Sequence, residues 1–392
     1  MNILKGVKVI DFTHAYAGPF TTINLADFGA EVIKIERHSG DVSRGWAPFK
    51  NDYSGYYCSF NRNKKSMTLD ITTEEGKEII FNLVKEADIV CSNFKAGTLE
   101  KYGIGYEAMK EIKPDIIYAS ISGFGDKGVL SSFAAYDNVI QALSGIMDVT
   151  GFKDGMPTKI GPAIGDSYTG LMLLIGILVA YYHKLETGKG QKVDVTMLGS
   201  LLNMLDNSIL EYTGFGKKVT RKGNTNLHYA PSDVYKVKDG YLTLAVKNDK
   251  EWKSFCKAYD MNELINDKRF SSNLSRIEHN DELTEIIESK LADYTRSELE
   301  SVLLHLNIAC AGVKSIDEAF EDEHLNARDM IVELDDPGAG MIKLVGNPMK
   351  LSKTPPVLEK ASPLLGQHTE EILKEMGYKQ ETIDAYKSKK IV

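Results

Sequence analysis

The chain has 392 residues, 43% of them hydrophobic and 26% charged, which suits two to three domains or one large domain carrying an insertion. A formal net charge of -8 argues against a general nucleic-acid binder but leaves room for a basic pocket around one phosphorylated ligand. The four cysteines, Cys58, Cys91, Cys256 and Cys310, form no C-x-x-C pair and fit no zinc ribbon, so a reduced, cytoplasmic setting is expected.

The opening MNILKGVKVIDF lacks the long apolar segment of a signal peptide. Within it, VKVIDF (Val7–Phe12) predicts a buried strand. Pro19 suits the first turn of a helix through TTINLADF, Gly29 ends that helix, and AEVIKIE (Ala30–Glu36) predicts a second strand. This β-α-β order predicts parallel pairing with a right-handed crossover. EEGKEIIFNLVKEA predicts the next helix, DIVCSNF a third strand, and KPDIIYASISGFG a fourth strand ending in a glycine-bearing loop. A long helix is expected to follow Asp166 and to run to about Glu186. Its most apolar stretch, Leu171–Tyr182, is too short to span a bilayer and reads as buried core. KVDVTM predicts a further strand and LGSLLNMLDNSILEYTG one helix. The alternation predicts a doubly wound α/β sheet.

From Gly214 the texture changes: GFGKKVTRKGNTNLHYAPSD is polar and basic and reads as a linker or binding loop. A hairpin is expected around Asp239-Gly240, then charged helices to about Met330, together a smaller α+β domain. IVELDDPGAGMIKLV predicts a second hairpin, followed by a Pro-rich strap and a capped helix starting near His368. The expected division is 1–212 with 331–392 as a large Rossmann-like domain, and 213–330 as the small one.

The candidate chemistry is sparse. No G-x-G-x-x-G or Walker-A spacing is present, so nicotinamide, flavin and nucleoside-triphosphate sites find no support. Neither G-x-S-x-G nor HExxH occurs, and no metal is expected. Arg37 lies just past the second strand, at the carboxyl edge where α/β sheets bind ligands, and His14 reads either as a base in the first turn or as a structural hydrogen-bond donor. Asp166, within GPAIGDSYTG, is a lone carboxylate at the head of an apolar run. It reads either as a helix N-cap or as a nucleophile. The helix terminus would hold it ionised, and Gly165 and Ser167 would leave room for an electrophile.

In order along the chain stand DFTHAYAGPF, ADFGAEVIKIER, SGDVSRGW, FNRNKKSMTLD, AYDNVIQALSG, GPAIGDSYTG, ETGKGQKVDVTM and SPLLGQHTEEIL. Together they resemble the class III CoA-transferase family, which includes formyl-CoA transferase and carnitine-type CoA-transferases. The resemblance runs from about residue 4 to 392 and is weakest from about Thr213 to Met330. It implies that Asp166 attacks the acyl carbon of an acyl-CoA thioester to form a mixed anhydride. The CoA thiolate is then held while an incoming carboxylate displaces the acyl group and receives the thioester. The substrates implied are an acyl-CoA and a small carboxylic acid, with no tightly bound cofactor, nucleic acid or membrane. The implied fold is a large Rossmann-like domain built from both chain ends, with a small inserted domain, in an interlocked homodimer.

The resemblance carries CoA contacts to Tyr16, Ala17 and Arg37, to Leu69, Asp70, Ile71 and Thr72, and to Asn93, Phe94 and Lys95. It also carries them to Lys101 and to Phe133, Ala134, Ala135 and Tyr136. Formyl-CoA transferase has Gln where this chain has Tyr16, and Arg where it has Lys101, a cation without Arg's planar fork. Its long glycine-rich active-site loop is replaced by RKGNTNLHYAP, which puts oxalate or formyl specificity in doubt. Tyr16, Trp46 and the loop near Gly223 are expected to shape the acyl pocket. Two alternatives stand beside the transferase. An α-methylacyl-CoA racemase of the same family would need a proton-transferring His where Tyr136 stands, before Asp137. A non-catalytic CoA-binding protein would have no use for Asp166.

Overall fold

The computed structural model describes residues 2–392. The chain divides into two compact units. One comprises the chain up to Met147 with Lys159–Lys218 and Glu323–Val392; the other comprises Asp148–Thr158 and Val219–Asp322. The expected boundaries at 213 and 330 fall six to eight residues from these, and the segment Asp148–Thr158 joins the second unit although it precedes the long helix in sequence.

The first unit is built on a six-stranded parallel sheet. In chain order its elements are β1 (Lys8–Asp11), α1 (Ala17–Asp27), β2 (Glu31–Glu36), α2 (Gly55–Asn61), β3 (Lys65–Thr68), α3 (Glu74–Glu86), β4 (Ile89–Ser92), β5 (Ile117–Ser122), α4 (Asp137–Ser144), α5 (Ile164–Thr187), β6 (Lys192–Thr196) and α6 (Met197–Met204). The strand order is 3-2-1-4-5-6, so the winding direction reverses between β1 and β4. Strand side chains alternate between two cores, one on each face of the sheet. Val9, Val32, Cys91 and Ala119 pack with Leu25 of α1 and with Leu173, Leu174 and Ile177 of α5. Ile10, Ile33, Val90 and Tyr118 pack with Ile79, Ile80 and Val84 of α3. Ile372, Leu373, Ile383, Ile391 and Val392 join that second core, so the end of the chain completes a core started at its beginning.

Strand β3 is absent from the sequence expectation. It is four residues long, reads KSMT, and is held on its open side by the chain's end: Thr68 N–H donates to Thr369 Oγ1 at 3.0 Å and Ser66 N–H to His368 Nδ1 at 3.1 Å. His368 is the N-cap of Thr369–Glu375, but its ring accepts from β3 instead of capping that helix. The strap before it is pinned by Val357 N–H to Asp27 O at 2.8 Å and by Tyr53 OH to Pro363 O at 2.8 Å. The single helix expected after β6 is two, α6 and Asp206–Phe215, broken at Leu205. Helix α5 has 24 residues, twice the length of the apolar stretch noted in the sequence, and is long and apolar enough to cross a membrane by length and composition. One face packs on the sheet through Leu173, Leu174, Ile177 and Ala180.

The second unit carries a three-stranded antiparallel sheet, with the expected hairpin Ser232–Val237 and Gly240–Ala245 extended by Ala309–Gly312. Its core gathers Tyr235, Leu242, Trp252, Phe255, Phe270 and Leu283.

Candidate functional site

The carboxyl edge of the sheet carries most of the residues singled out in the sequence. The loop between β1 and α1 is held almost atom by atom. Asp11 Oδ1 accepts Thr13 N–H at 2.9 Å and Lys34 Nζ donates to Thr13 O at 2.6 Å. Ala15 N–H donates to Asp41 Oδ1 at 3.1 Å, and Ala15 itself sits at φ +66°, a left-handed conformation uncommon for a residue with a Cβ. Asn93, past β4, closes a ring with His14: its Oδ1 accepts the His14 N–H at 2.9 Å and its Nδ2 donates to His14 O at 2.7 Å. This ring bridges the crevice where the winding reverses.

Below the loop lie two fully buried ion pairs, Lys34–Asp41 at 2.8 Å and Lys64–Asp11 at 3.2 Å. Burial opposes the charge on every member. Burial lowers Lys64 to about 8 despite Asp11, whereas Lys34 and its hydrogen bond hold Asp41 well below the usual carboxylate range. Removing one partner of such a pair would leave an uncompensated buried charge, so the network fixes the loop.

Two cavities open along this edge. One, of about 690 Å³, is lined by His14, Arg37, Leu69–Thr72 and Phe94. The other, of about 510 Å³, is lined by Phe94, Lys95, Lys101, Lys192 and Asp194. Arg37 Nε makes only a 3.3 Å bond to Gly40 O and has no carboxylate partner among the described residues. The predicted contacts Arg37, Leu69, Asp70, Ile71, Thr72, Phe94, Lys95 and Lys101 therefore come together around these two adjoining cavities. Asn93 instead faces the His14 backbone. Phe133 and Tyr136 are 60% and 70% exposed, Ala134 is exposed and Ala135 rests against Gly123; none of the four lines either cavity, although the neighbouring Ser131 and Ser132 line the second.

Tyr16 and Ala17 stand at the head of α1, which packs against the head of α5. Thr21 Oγ1 donates to Gly170 O at 2.8 Å, and a Cβ on Gly170 would lie 2.6 Å from Ala17 O. The missing side chain at Gly170 thus brings the two helix heads together. Asp166 is the third residue of α5 rather than a residue before it, and the N-cap is Ala163. It is therefore not a capping carboxylate. The capping role falls to Asp137, at the start of α4, whose Oδ1 accepts the Gly165 N–H at 2.7 Å.

Around Asp166 stand Tyr16, Tyr56, Ser167 and Asp137. Burial, followed by the negative charge of Asp137, raises its carboxyl to about 7. The sequence expectation was the reverse, a helix terminus holding it ionised; desolvation and a second carboxylate outweigh that field. Burial raises Tyr16 above the ordinary phenol value although Ser167 bonds to it, and burial followed by Asp166 raises Tyr56 to about 12, so both stay protonated hydrogen-bond donors at neutral pH. Their rings are fixed in an aromatic group: Tyr16 lies 4.3 Å from Phe60, and Tyr56 lies 5.0 Å from Trp46 with its ring turned 80°. Sequence reasoning missed Tyr56, Phe60, the hydrogen bond of Ser167 to Tyr16 and the capping by Asp137. Three of the four sit on α2 and α4, short helices that periodicity does not reveal, and Ser167 adjoins Asp166 itself.

A partly desolvated carboxylate is a better nucleophile than one in water, and phenols beside it can donate to oxyanions. No group of three His, Cys, Asp or Glu side chains that could hold a metal occurs among the described residues.

Comparisons with known proteins show the family. The model of CoA-transferase family III matches residues 4–369. The chain is 38% identical over 390 residues to a succinyl-CoA:mesaconate CoA-transferase of Haloarcula hispanica, covering 96% of this chain and 97% of that protein. It is 35% identical over 381 residues to a succinate–glutarate CoA-transferase of Agrobacterium fabrum, covering 95% of each. The crystal structure of a CAIB/BAIF family protein from Brucella suis superposes with a TM-score of 0.88 at 36% identity, covering 95% of this chain and 99% of that one.

Proposed function

Since the chain belongs to CoA-transferase family III, we propose that it moves CoA from an acyl-CoA to a small dicarboxylic acid through an anhydride on Asp166. Asp166 attacks the thioester carbonyl and expels the CoA thiolate, leaving an aspartyl–acyl anhydride. The acceptor carboxylate attacks the γ-carbon of Asp166, releases the donor acid and forms a second anhydride. The waiting thiolate attacks the acceptor's acyl carbon, the new thioester forms and Asp166 is freed. Each addition builds an oxyanion, for which the phenols of Tyr16 and Tyr56 are suited donors.

The observation that carries this reading is the half-buried carboxylate of Asp166, raised to about 7 and ringed by donors that stay protonated. Arg37, Leu69–Thr72 and Lys101 along the two cavities suit the nucleotide end of CoA. The C4–C5 dicarboxylate class, with succinyl-CoA as donor, rests on the activities named for the Haloarcula and Agrobacterium relatives. Racemisation is disfavoured because Tyr136 replaces the proton-transferring His and is 70% exposed. The four free cysteines fit a reducing compartment such as the cytoplasm. We also assign the chain to a homodimer, interlocked as the family resemblance implies.

The test is capture with hydroxylamine after loading with succinyl-CoA. It should mark Asp166, and Asp166→Ala should lose transfer while retaining CoA binding. Full turnover by the alanine variant would overturn the assignment.

A further inference from the structure

Helix α4 faces the segment that leads into α5 with two side chains one turn apart, Asp137 and Gln141. Gln141 is completely buried. Its Nε2 donates to Asp137 Oδ2 at 2.7 Å, and its Oε1 accepts the Ile160 N–H at 2.8 Å. Asp137 Oδ1, in turn, accepts the Gly165 N–H at 2.7 Å. The amide orientation of Gln141 is forced, since a carboxylate oxygen must meet its NH2 and a backbone N–H must meet its oxygen. One hydrogen-bonded chain therefore ties both ends of the Ile160–Gly165 segment to one face of α4. Gly165 is part of the same fit: a Cβ there would lie 2.8 Å from Asp137 Oδ1. Asp166 is the next residue, so its aim is set by where this clamp holds the Gly165 amide.

We propose that Gln141 is a positioning residue for acyl transfer: through Asp137 and the Ile160 amide it fixes the segment before α5 and so the direction of Asp166. The proposal rests on Asp166 being the nucleophile. It does not require Gln141 to touch substrate. Because none of Asp137, Gln141, Ile160 and Gly165 lines either of the two cavities, loss of the clamp should slow the chemical step and leave acyl-CoA binding nearly unchanged. A displacement of about 1 Å at a reacting group is enough to reduce a rate by about a hundredfold.

The hydrogen-bond pattern supplies its own rescue. Gln141→Glu sets a second carboxyl against that of Asp137 and breaks the clamp wherever both are ionised, which the measurement at high pH favours. In the double variant Asp137→Asn with Gln141→Glu, the amide oxygen introduced at position 137 still accepts from Gly165. The NH2 of that amide donates to the new carboxylate at position 141, and the carboxylate accepts from Ile160. Every bond is restored with the charge moved one turn along α4. Transfer is measured at pH 9, where Asp166 is ionised in each variant, and hydroxylamine capture at Asp166 is timed in a single turnover. We expect Gln141→Glu to lower kcat and the capture rate together by about 10- to 100-fold, with KM for acyl-CoA changed less than about threefold. The double variant should return to within about fivefold of the wild type. If Gln141→Glu folds and keeps full kcat, the clamp has no role in positioning. A double variant that is no faster than Gln141→Glu, or that does not fold, also overturns it. Absence of capture at Asp166 in the wild type would instead defeat the nucleophile reading itself, so the two failures are distinct.

Discussion

At the scale of single residues, Asp166 couples catalysis to stability. Its carboxyl titrates near 7 in the folded chain and near 3.8 when exposed. Between those values the folded protein holds a proton that the unfolded chain has released, so stability falls as pH rises through this window. Above about 7 the full penalty of an ionised, desolvated carboxylate is present. Asp166→Asn should therefore be inactive yet more stable than the wild type at pH 8, by roughly 1–3 kcal/mol, with the advantage gone by pH 4. Denaturant melts at the two pH values read this directly, and a variant less stable than wild type at pH 8 would place the carboxyl in a well-solvated setting. The attacking form is the carboxylate, so kcat should rise with pH through about 7. Arg37 belongs to the other half of the reaction. Its guanidinium is exposed beside the 690 Å³ cavity without a carboxylate partner among the described residues. A charge-assisted phosphate contact contributes roughly 1.5–3 kcal/mol, so Arg37→Ala should raise KM for acyl-CoA about 10- to 100-fold with a smaller change in kcat. An unchanged KM would remove Arg37 from the CoA site.

At the scale of elements, the site is made where α1 meets α5, and Gly170 governs that meeting. A Cβ on residue 170 would lie 2.6 Å from Ala17 O, 3.0 Å from Phe20 Cδ1 and 3.3 Å from Thr21 Oγ1, the first of these a fixed backbone atom. Gly170→Ala should push the helix heads apart, lower stability by roughly 1–3 kcal/mol and impair transfer by moving Tyr16 away from Asp166. Unaltered melting and turnover would show that the helices slide past the added methyl. This meeting also marks what a sequence can and cannot disclose. Strands β1, β2, β4, β5 and β6 and helices α1, α3 and α5 were legible because each carries an apolar run or a regular apolar–polar pattern with its own stop, such as Gly29 after α1. Strand β3 was not, because KSMT has one buried large apolar side chain, Met67, and owes its place to Thr369 and His368, some three hundred residues away. Asp166 was legible as an isolated charge before an apolar run and through the ordered motifs. Its environment was not: the raised pKa comes from burial and from Asp137, a residue 29 positions earlier that only the packing of α4 on α5 brings near.

At the scale of the whole molecule, the first unit leaves uncovered what a folded chain ordinarily covers. The sheet-facing side of α5 is buried, but Leu171, Ile175, Leu178, Val179, Tyr182 and Leu185 recur at helical spacing on its other side, with Val179, Tyr182 and Leu185 between 64% and 66% exposed. Val139 and Leu143 of α4, Leu202 of α6, and Leu210, Tyr212 and Phe215 of the following helix are exposed as well. Every residue of Asp206–Phe215 is at least partly exposed, so that helix has no packed face of its own to hold it. Apolar surface of this extent marks an interface, and a second copy of the chain is the occupant that the family resemblance implies. We therefore expect an obligate dimer in which loss of the partner exposes α5 and frees Asp206–Phe215. If the two chains are also threaded through one another, they can part only when one of them opens, and the barrier to exchange includes partial unfolding in addition to lost contacts. A dimer joined by surface contacts alone would exchange at a rate set by those contacts. Mixing isotopically light and heavy protein and following hybrid dimers by native mass spectrometry separates these cases. Threaded chains should give no hybrid over hours in native buffer and a statistical mixture after unfolding and refolding. Hybrids within minutes would leave the dimer but remove the interlock, and a monomer at micromolar concentration in scattering would remove both.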